Sequence, residues 1–521
     1  MIHLAPPSQD VEVLDELTRI VGEEHVSISN IDRINYARDM CPISLVHAPE
    51  GDIRFPPDVI VWPANVEEVS QICKLAYRTG TPLIPFGAGS GVCGGIFAIK
   101  GGIIVDMKRM NKVIEIDHES NLVTAEAGIM GEHLERYLAH RGYTMGHFPS
   151  SIYSSTLGGY LAARSAGQFS GKYGKIEDMV VSLQVVLPQG DIVETITAPR
   201  TATGPDWGQA IVGSEGTLGF ITKATCRLWP APQSRRFLAF VFPDVKAGTE
   251  CMRLLYRHGL HPAGVRLYDE LDTALVGTSG KTGAGGSPMD FLPISQMGTL
   301  IQGLMPKTIR RTKRFFAKKA DLLNKVEKYA RQGCLLVLVF EGEERIVDYE
   351  FEAATTIAES LEGENKGPEL AINWYKNRYH VSYKQSKVYY HGAFVDTIEV
   401  ATTWDKLIRL YDELRAAVSE HAFIMAHFSH AYPDGCSIYF TFVTAADTPT
   451  DAERLHRQVW DSAMRAVFKI GGTVSHHHGI GLSKARFMAR EHEGAMGIYQ
   501  AIKDFVDPKN LCNPGKMGLK T

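Results

Sequence analysis

Three apolar runs, Ile103 to Met107, Val113 to Asp117 and Leu122 to Gly128, follow one another with only a few residues between them. A parallel connection needs a crossover of roughly a dozen residues or more, so these runs cannot each carry a crossover helix. At least some of them must pair antiparallel. Just upstream the pattern differs. The run Val59 to Trp62, an amphipathic stretch from Val66 to Arg78 with Asn65 placed to cap it, and the run Pro82 to Phe86 read as a βαβ opening. A sheet fed by both kinds of connection is mixed, and the expected class is α+β.

The rest of the chain restarts this pattern. After Pro230-Ala231-Pro232 come the strand-like FLAFVF, a helix from about Ala247 to Arg257 and a glycine-rich stretch from Gly277 to Gly286. The run Cys334 to Phe340, a helix from about Ile346 to Glu359 and the run GAFVDTIEV follow. The last hundred residues hold SIYFTFV, a helix from about Asp451 to Phe468, a run of histidines and a helix ending near Asp507. A chain of 521 residues exceeds what one core usually serves, so several units are expected, divided into 1–55, 56–235, 236–425 and 426–521.

A formal charge of -4 gives no surplus with which to neutralise phosphates, so nucleic acid is not expected as a partner. The eight cysteines are scattered without a C-x-x-C pair and read as reduced packing residues. The N-terminus has no basic segment leading into an apolar run, which points to a cytoplasmic protein.

Four segments carry the chemistry. The first, Pro85-Phe86-Gly87-Ala88-Gly89-Ser90-Gly91-Val92-Cys93-Gly94-Gly95, leaves a strand directly. Glycines there let backbone amides approach an anion closely. Gly89, Gly91 and Gly94 match G-x-G-x-x-G, but the sequel IFAIKGG is apolar and glycine-broken where a dinucleotide fold would open a helix. The second runs from Pro149 through Ser150, Ser151, Ser155, Thr156, Gly158 and Gly159 to Ser165, Gly167, Tyr173 and Gly174, placing hydroxyls beside paired glycines. The third is Ile211 to Gly219, reading IVGSEGTLG, and the fourth is the tail Asp507 to Lys516. Either glycine segment taken singly could be a tight turn.

Together, in this order and spacing, the four resemble the FAD-binding unit of the vanillyl-alcohol oxidase family. The resemblance runs from about residue 56 to the C-terminus. It implies a two-part p-cresol-methylhydroxylase-type FAD-binding domain at 56–235, a cap domain with an antiparallel sheet at 236–425, and a segment at 426–521 that returns active-site histidines to the FAD domain. The cofactor contacts implied are Pro85, Gly87, Ala88, Gly89, Ser90, Gly91, Pro149, Ser150, Ser151, Ser155, Thr156, Gly158, Gly159, Ser165, Gly167, Tyr173, Gly174, Glu215, Gly216, Gly219, Ile221 and Asn513. Covalent members carry a histidine in the first loop or a cysteine in the second segment; neither stands there, so noncovalent FAD is implied. The stretches Ser154 to Gly159, Lys172 to Val181, Pro433 to Phe440 and Ser475 to Gly481 resemble the alkyldihydroxyacetonephosphate synthase branch. By that resemblance Tyr439, His477 and His478 take catalytic places. His476 is a further catalytic candidate; three successive histidines cannot all face one way, so at least one is expected to line a cavity and one to pack outward.

Arg378, in Trp374-Tyr375-Lys376-Asn377-Arg378, resembles an arginine that faces a substrate acid group in relatives, and Lys384 and His427 complete the expected substrate contacts. Metal-binding relatives carry H…H…E at comparable places; His427 matches the first histidine, but Tyr439 and His477 replace the second histidine and the glutamate, so no metal is expected. Gln385 stands where the synthases carry an arginine, which favours a flavin oxidoreductase that moves hydride from a hydroxy acid or alcohol to the flavin. The rival is a synthase-like transferase of ether-lipid synthesis, acting on a lipid-like ketose phosphate. Seven cations between Lys307 and Lys319, beside the apolar run from Leu300 to Met305, suit either a solvated helix face or contact with an anionic membrane through 300–319. A homodimer and a separate electron-acceptor protein complete the expectations.

Overall fold

The computed structural model describes Leu4, Pro6 and residues 11–279, 333–380 and 393–520. Lys384, Gln385 and the stretch 300–319 lie outside the described residues. The chain divides into two compact units, one of Met1–Gly167, Gly174–Ala231 and His477–Thr521, the other of Gln168–Tyr173 and Pro232–His476.

In the first unit, Val59–Val61 and Leu83–Phe86 run parallel to Ile103–Asp106 between them, and Val26–Ser27 adds antiparallel at the edge. Helix Val66–Thr79 makes the crossover. Asn65 accepts the Glu68 N–H at 2.9 Å, and the Glu68 carboxylate accepts the Ala64 N–H at 2.7 Å, closing the first turn. Gly80 ends the helix in the left-handed region, at φ 73°. Val69, Ile72, Cys73 and Ala76 pack with the parallel strands and with Val13, Leu17 and Val21 of helix Val11–Val21. The N-terminal lead-in therefore supplies part of this core, each buried aliphatic side chain contributing roughly 1.5–3 kcal/mol.

The three closely spaced runs do not share one sheet. After a single 3-10 turn at Met107–Arg109 the chain enters a second, wholly antiparallel sheet. Its order is Val113–Asp117, Leu122–Glu126, Phe220–Arg227, Val180–Val186, Ile192–Glu194. The expected single mixed sheet is thus corrected to two, the first of them mixed, because the turn breaks the ladder before Val113. The two stretches cross so tightly that a β-carbon on Gly128 would lie 1.8 Å from the Met107 carbonyl oxygen.

The second unit is built on one seven-stranded antiparallel sheet. Its order is Glu364–Asn365, Ser234–Phe242, Cys334–Gly342, Gly264–Tyr268, Phe423–Ala431, Gly435–Ala445, Ala393–Thr403. Alternation sorts its residues onto two faces. One face carries Leu267, Phe428, Phe440 and Phe442. There a β-carbon on Gly248 of helix Val245–Arg257 would meet Leu267 at 2.5 Å, Tyr411 of helix Leu407–Ser419 packs on Phe428 and Phe440, and His456 of helix Pro449–Ile470 packs on Phe442. On the other face, Ala371 and Trp374 of helix Glu369–Asn377 join Ala239, Tyr268, Leu335 and Val337 in a smaller cluster. Beyond that cluster this second face turns polar.

The chain leaves the second unit at His476, so the run of histidines is divided between the units and the strands at 423–445 belong to the seven-stranded sheet. All eight cysteines are buried, and among the described residues none forms a disulfide. Among the described residues no helix is long and apolar enough to cross a membrane.

Candidate functional site

The four glycine- and hydroxyl-rich segments converge within the first unit. The first loop leaves the strand Leu83–Phe86 and takes left-handed conformations at Gly89 (φ 67°) and Gly94 (φ 72°), which glycine adopts without strain. It lies against the second segment. The Ser90 hydroxyl is 3.0 Å from that of Ser155, and a β-carbon on Gly87 would fall 2.5 Å from Thr156 Oγ1. Thr156 caps helix Leu157–Ala163 by accepting the Gly159 N–H at 3.1 Å. From the lead-in, Asp39 Oδ2 accepts the Gly94 N–H at 2.9 Å and the Met40 N–H donates to the Gly91 carbonyl at 2.8 Å. Burial raises the Asp39 carboxyl to about 7.

The third segment is the hinge of this assembly. Glu215, at φ 49°, accepts N–H bonds from Ile480 at 2.6 Å and Gly481 at 2.8 Å, fixing the backbone just beyond His477 and His478. Those two rings meet edge to face at 4.5 Å. A β-carbon on Gly216 would strike Pro85 at 2.6 Å, locking the third segment to the start of the first loop. The tail then runs beside Leu83, where the Leu83 N–H donates to Leu511 O at 2.8 Å and the Asn513 N–H donates to Leu83 O at 2.7 Å. Asn513 Nδ2 bridges Gly95 O at 2.8 Å and Glu215 O at 2.7 Å. Buried Lys503 donates to Thr217 O, Cys512 O and Asp507, while Lys516 donates to Phe97 O. Burial lowers Lys516 to about 8 against the opposing pull of Glu215 and Asp39.

This cradle fits a flavin dinucleotide. At Gly91, Gly95 and Gly159 an added β-carbon would meet one protein atom each within 4 Å, respectively Asp39 Oδ2, Glu215 Oε2 and Thr156 Oγ1, so the loops are open on that side. Two buried polar atoms, Asn513 Oδ1 and His147 Nδ1, have no partner among the described residues. His147 is held far below the ordinary histidine value by burial and by Lys175, so its ring is neutral, and its Nε2 stands 2.9 Å from Ser165 Oγ. Gly158 is tighter than an open cradle position, since its β-carbon would lie 3.0 Å from Ala127 Cβ. Tyr173, expected among the cofactor contacts, belongs to the second unit, where its hydroxyl donates to buried Glu341 at 2.7 Å.

In the second unit, cross-strand register aligns a row of polar side chains on the face opposite the phenylalanines. Tyr268 is paired with His427, His427 with Tyr439, and Tyr439 with Glu399. The His427 and Tyr439 rings stack at 4.7 Å with 18° between their planes. The next row pairs Arg266 with Ser429 and Ser429 with Ser437. His427 Nδ1 lies 3.2 Å from Arg266 Nη2 and 3.3 Å from Asp272 Oδ2. Burial and the Arg266 charge depress His427 well below the usual histidine range, so the ring is neutral at pH 7. Burial raises the Tyr439 and Tyr268 phenols to about 12 and the Asp272 carboxyl to about 6.

At the end of this sheet His430 sits on a β-bulge at φ 53°. Its Nδ1 is 2.8 Å from Ser170 Oγ. Ser170 is in turn 3.1 Å from the Tyr432 hydroxyl, which is 3.0 Å from His476 Nε2. Arg378 caps helix Glu369–Asn377, its guanidinium 3.8 Å from the Tyr375 ring centroid and 4.3 Å from that of Tyr379. Two of its nitrogens are committed to Tyr375 O and the Tyr379 hydroxyl. His427 and Tyr439, expected in separate roles, are thus in direct contact. Arg266, Asp272, Asp39 and His147 were not expected. The one signal for Arg266 was a lone cation inside the apolar run GVRLY; Asp39, in an irregular Pro-containing stretch, carried none.

Residues 57–196 match the FAD binding domain family, and residues 231–517, more than half the chain, match the family of FAD linked oxidases, C-terminal domain. The chain belongs to the FAD-linked oxidase family; it is an enzyme, and its cofactor is FAD. Alkyldihydroxyacetonephosphate synthase of Dictyostelium discoideum is 29% identical over 99% of this chain and 82% of its own. Glycolate oxidase subunit GlcD of Bacillus subtilis is 26% identical over 98% and 97%. A solved alkyldihydroxyacetonephosphate synthase superposes with a TM-score of 0.78 at 27% identity, over 98% of this chain and 87% of that one. The fold is shared with p-cresol methylhydroxylase, at a TM-score of 0.74, 17% identity and 99% of both chains.

Proposed function

We propose that this enzyme oxidises a small hydroxy acid or alcohol, and that the polar row of the second unit takes the hydroxyl proton. FAD, when bound by the cradle of the first unit, supplies a two-electron acceptor. The observation that carries the reading is the neutral His427 ring placed between Asp272 and Tyr439. A neutral imidazole satisfies only one of its two Nδ1 neighbours at a time. With Nδ1–H donated to Asp272, Nε2 keeps its lone pair and serves as the base. Tyr439, whose phenol keeps its proton up to about pH 12, is a hydrogen-bond donor for a substrate oxygen. His477 and His478, fixed through Glu215, are further candidates for proton handling.

Similarity to glycolate oxidase GlcD supports an oxidation. Similarity of the same order to the alkyldihydroxyacetonephosphate synthases supports a second reading, a synthase in which an alcohol replaces the acyl chain of an acylated ketose phosphate, forming the ether and releasing the fatty acid without net oxidation. Anaerobic mixing with a panel of hydroxy acids and alcohols separates the two. Loss of oxidised-flavin absorbance with at least one donor is expected; no bleaching with any of them, together with ether formation from an acylated ketose phosphate, replaces the first reading with the second. A homodimer and a separate electron-acceptor protein belong to this proposal and rest on the family resemblance.

A further inference from the structure

We infer that Arg266 and Ser437 bind an oxyanion of the substrate, a carboxylate or a phosphate, on the polar face of the seven-stranded sheet. Arg266 brings a cation to that face. Its strand Gly264–Tyr268 lies beside Phe423–Ala431, which lies beside Gly435–Ala445, so the register places Arg266, Ser429 and Ser437 in one row on one face. Directly opposed residues have β-carbons about 5 Å apart, which puts the two ends of the row within reach of one extended arginine and a small anion. Two donor-bearing atoms in this row are buried without a partner among the described residues, Arg266 Nε and Ser437 Oγ. A buried guanidinium nitrogen and a fully buried hydroxyl have each given up water, and leaving either unbonded is unfavourable, so a polar occupant accounts for finding both on one row.

Arg378, the arginine expected to face an acid group, is less suited. Its Nε is likewise buried without a partner among the described residues, but it is wedged among the Tyr375, Tyr379 and Phe169 rings, has two other nitrogens already given to Tyr375 O and the Tyr379 hydroxyl, and has no second orphaned donor beside it in a strand row. Arg266 makes a weak 3.2 Å contact to His427 Nδ1, in competition with Asp272. An anion that takes the Arg266 donors therefore also releases His427 Nδ1 to bond Asp272, so substrate binding and the readying of the base are one event. The inference rests on the reading that this face is the substrate site.

Calorimetric titration of the FAD-loaded protein tests it, with oxalate as carboxylate probe, inorganic phosphate as phosphate probe and 1,2-propanediol as uncharged control. The wild type should bind one of the two anions, and which one it binds names the source of the oxyanion. Arg266→Gln should weaken that anion roughly 10²-fold, since charge-assisted and bidentate bonds are lost, and Ser437→Ala several-fold, with diol binding and FAD content unchanged. Arg266→Lys keeps the charge without the fork, should cost about tenfold, and serves as the deciding variant if the glutamine variant does not fold. Unchanged anion affinity in the arginine variants, a loss shared equally by the diol, or no binding of either anion by the wild type overturns the assignment. A hydroxy acid that bleaches the flavin equally well in wild type and Arg266→Gln sinks this inference and leaves the oxidoreductase reading intact. Anion binding through Arg266 without bleaching by any donor does the reverse.

Discussion

His427 shows how burial sets the chemistry of a single residue. An exposed imidazole titrates near pH 6.5, whereas this one is pushed well below that by loss of water and by Arg266. A base works in its deprotonated form, so activity is lost only as pH falls through its depressed value. The acid limb of kcat/KM should therefore lie below pH 6.5, and Arg266→Gln, which removes one depressing cause, should move that limb upward. A limb at or above the ordinary histidine value in the wild type would remove His427 from the role of base. His427→Gln and Tyr439→Phe should each lower turnover by about 10²- to 10⁴-fold with the FAD spectrum intact. If turnover is nearly normal in both variants, the search moves to His477 and His478. A fall in melting temperature and FAD content in step with turnover would mark the pair as packing residues.

At the scale of elements, the cofactor cradle is held by a few backbone locks that can be broken one at a time. Lys503, on helix Ala495–Val506, is buried and joins Thr217 O, Asp507 and Cys512 O, so it ties the third segment to the tail. Lys503→Met leaves the Asp507 carboxylate buried without its cation, a change that typically costs about 3–5 kcal/mol. The melting temperature should fall and FAD should be retained less tightly; a variant with wild-type melting and FAD content would show that the tail closes without this ion pair. Gly87 is a second lock, because any side chain there displaces Thr156, which in turn caps helix Leu157–Ala163. The ends of helix Val66–Thr79 could be read from Asn65 and Gly80 because capping is a local property of a few neighbouring residues. The locks at Glu215, Asn513 and Lys503 join residues hundreds of positions apart or set against backbone carbonyls, and spacing does not reveal them.

For the whole molecule, FAD would be held by enclosure between chain segments of the cradle, since the first loop has no histidine and the second segment no cysteine to form a link. Acid precipitation should accordingly release yellow FAD into the supernatant. Flavin that stays with the protein pellet would require a covalent attachment and would draw attention to Cys93, which is in the first loop with its thiol 3.4 Å from Gly479 O.

Sequence alone was sufficient for the α+β class, the βαβ opening and the FAD cofactor of the family. Periodicity, capping residues and glycine-rich loops act over a few neighbouring positions, and four such segments in a set order carry a family pattern. It was not sufficient for the partition of the closely spaced strands between two sheets, since strand spacing constrains the kind of pairing and leaves the choice of partner to packing. Nor did it show that Asp39 of the lead-in braces the first loop, or that Tyr173 belongs to the second unit, where it is bonded to Glu341. The row Tyr268, His427, Tyr439, Glu399 draws one residue from each of four strands, the farthest separated by 171 positions. Only the register of the folded sheet aligns them, and only the burial that follows turns a histidine and two tyrosines into groups with a defined charge.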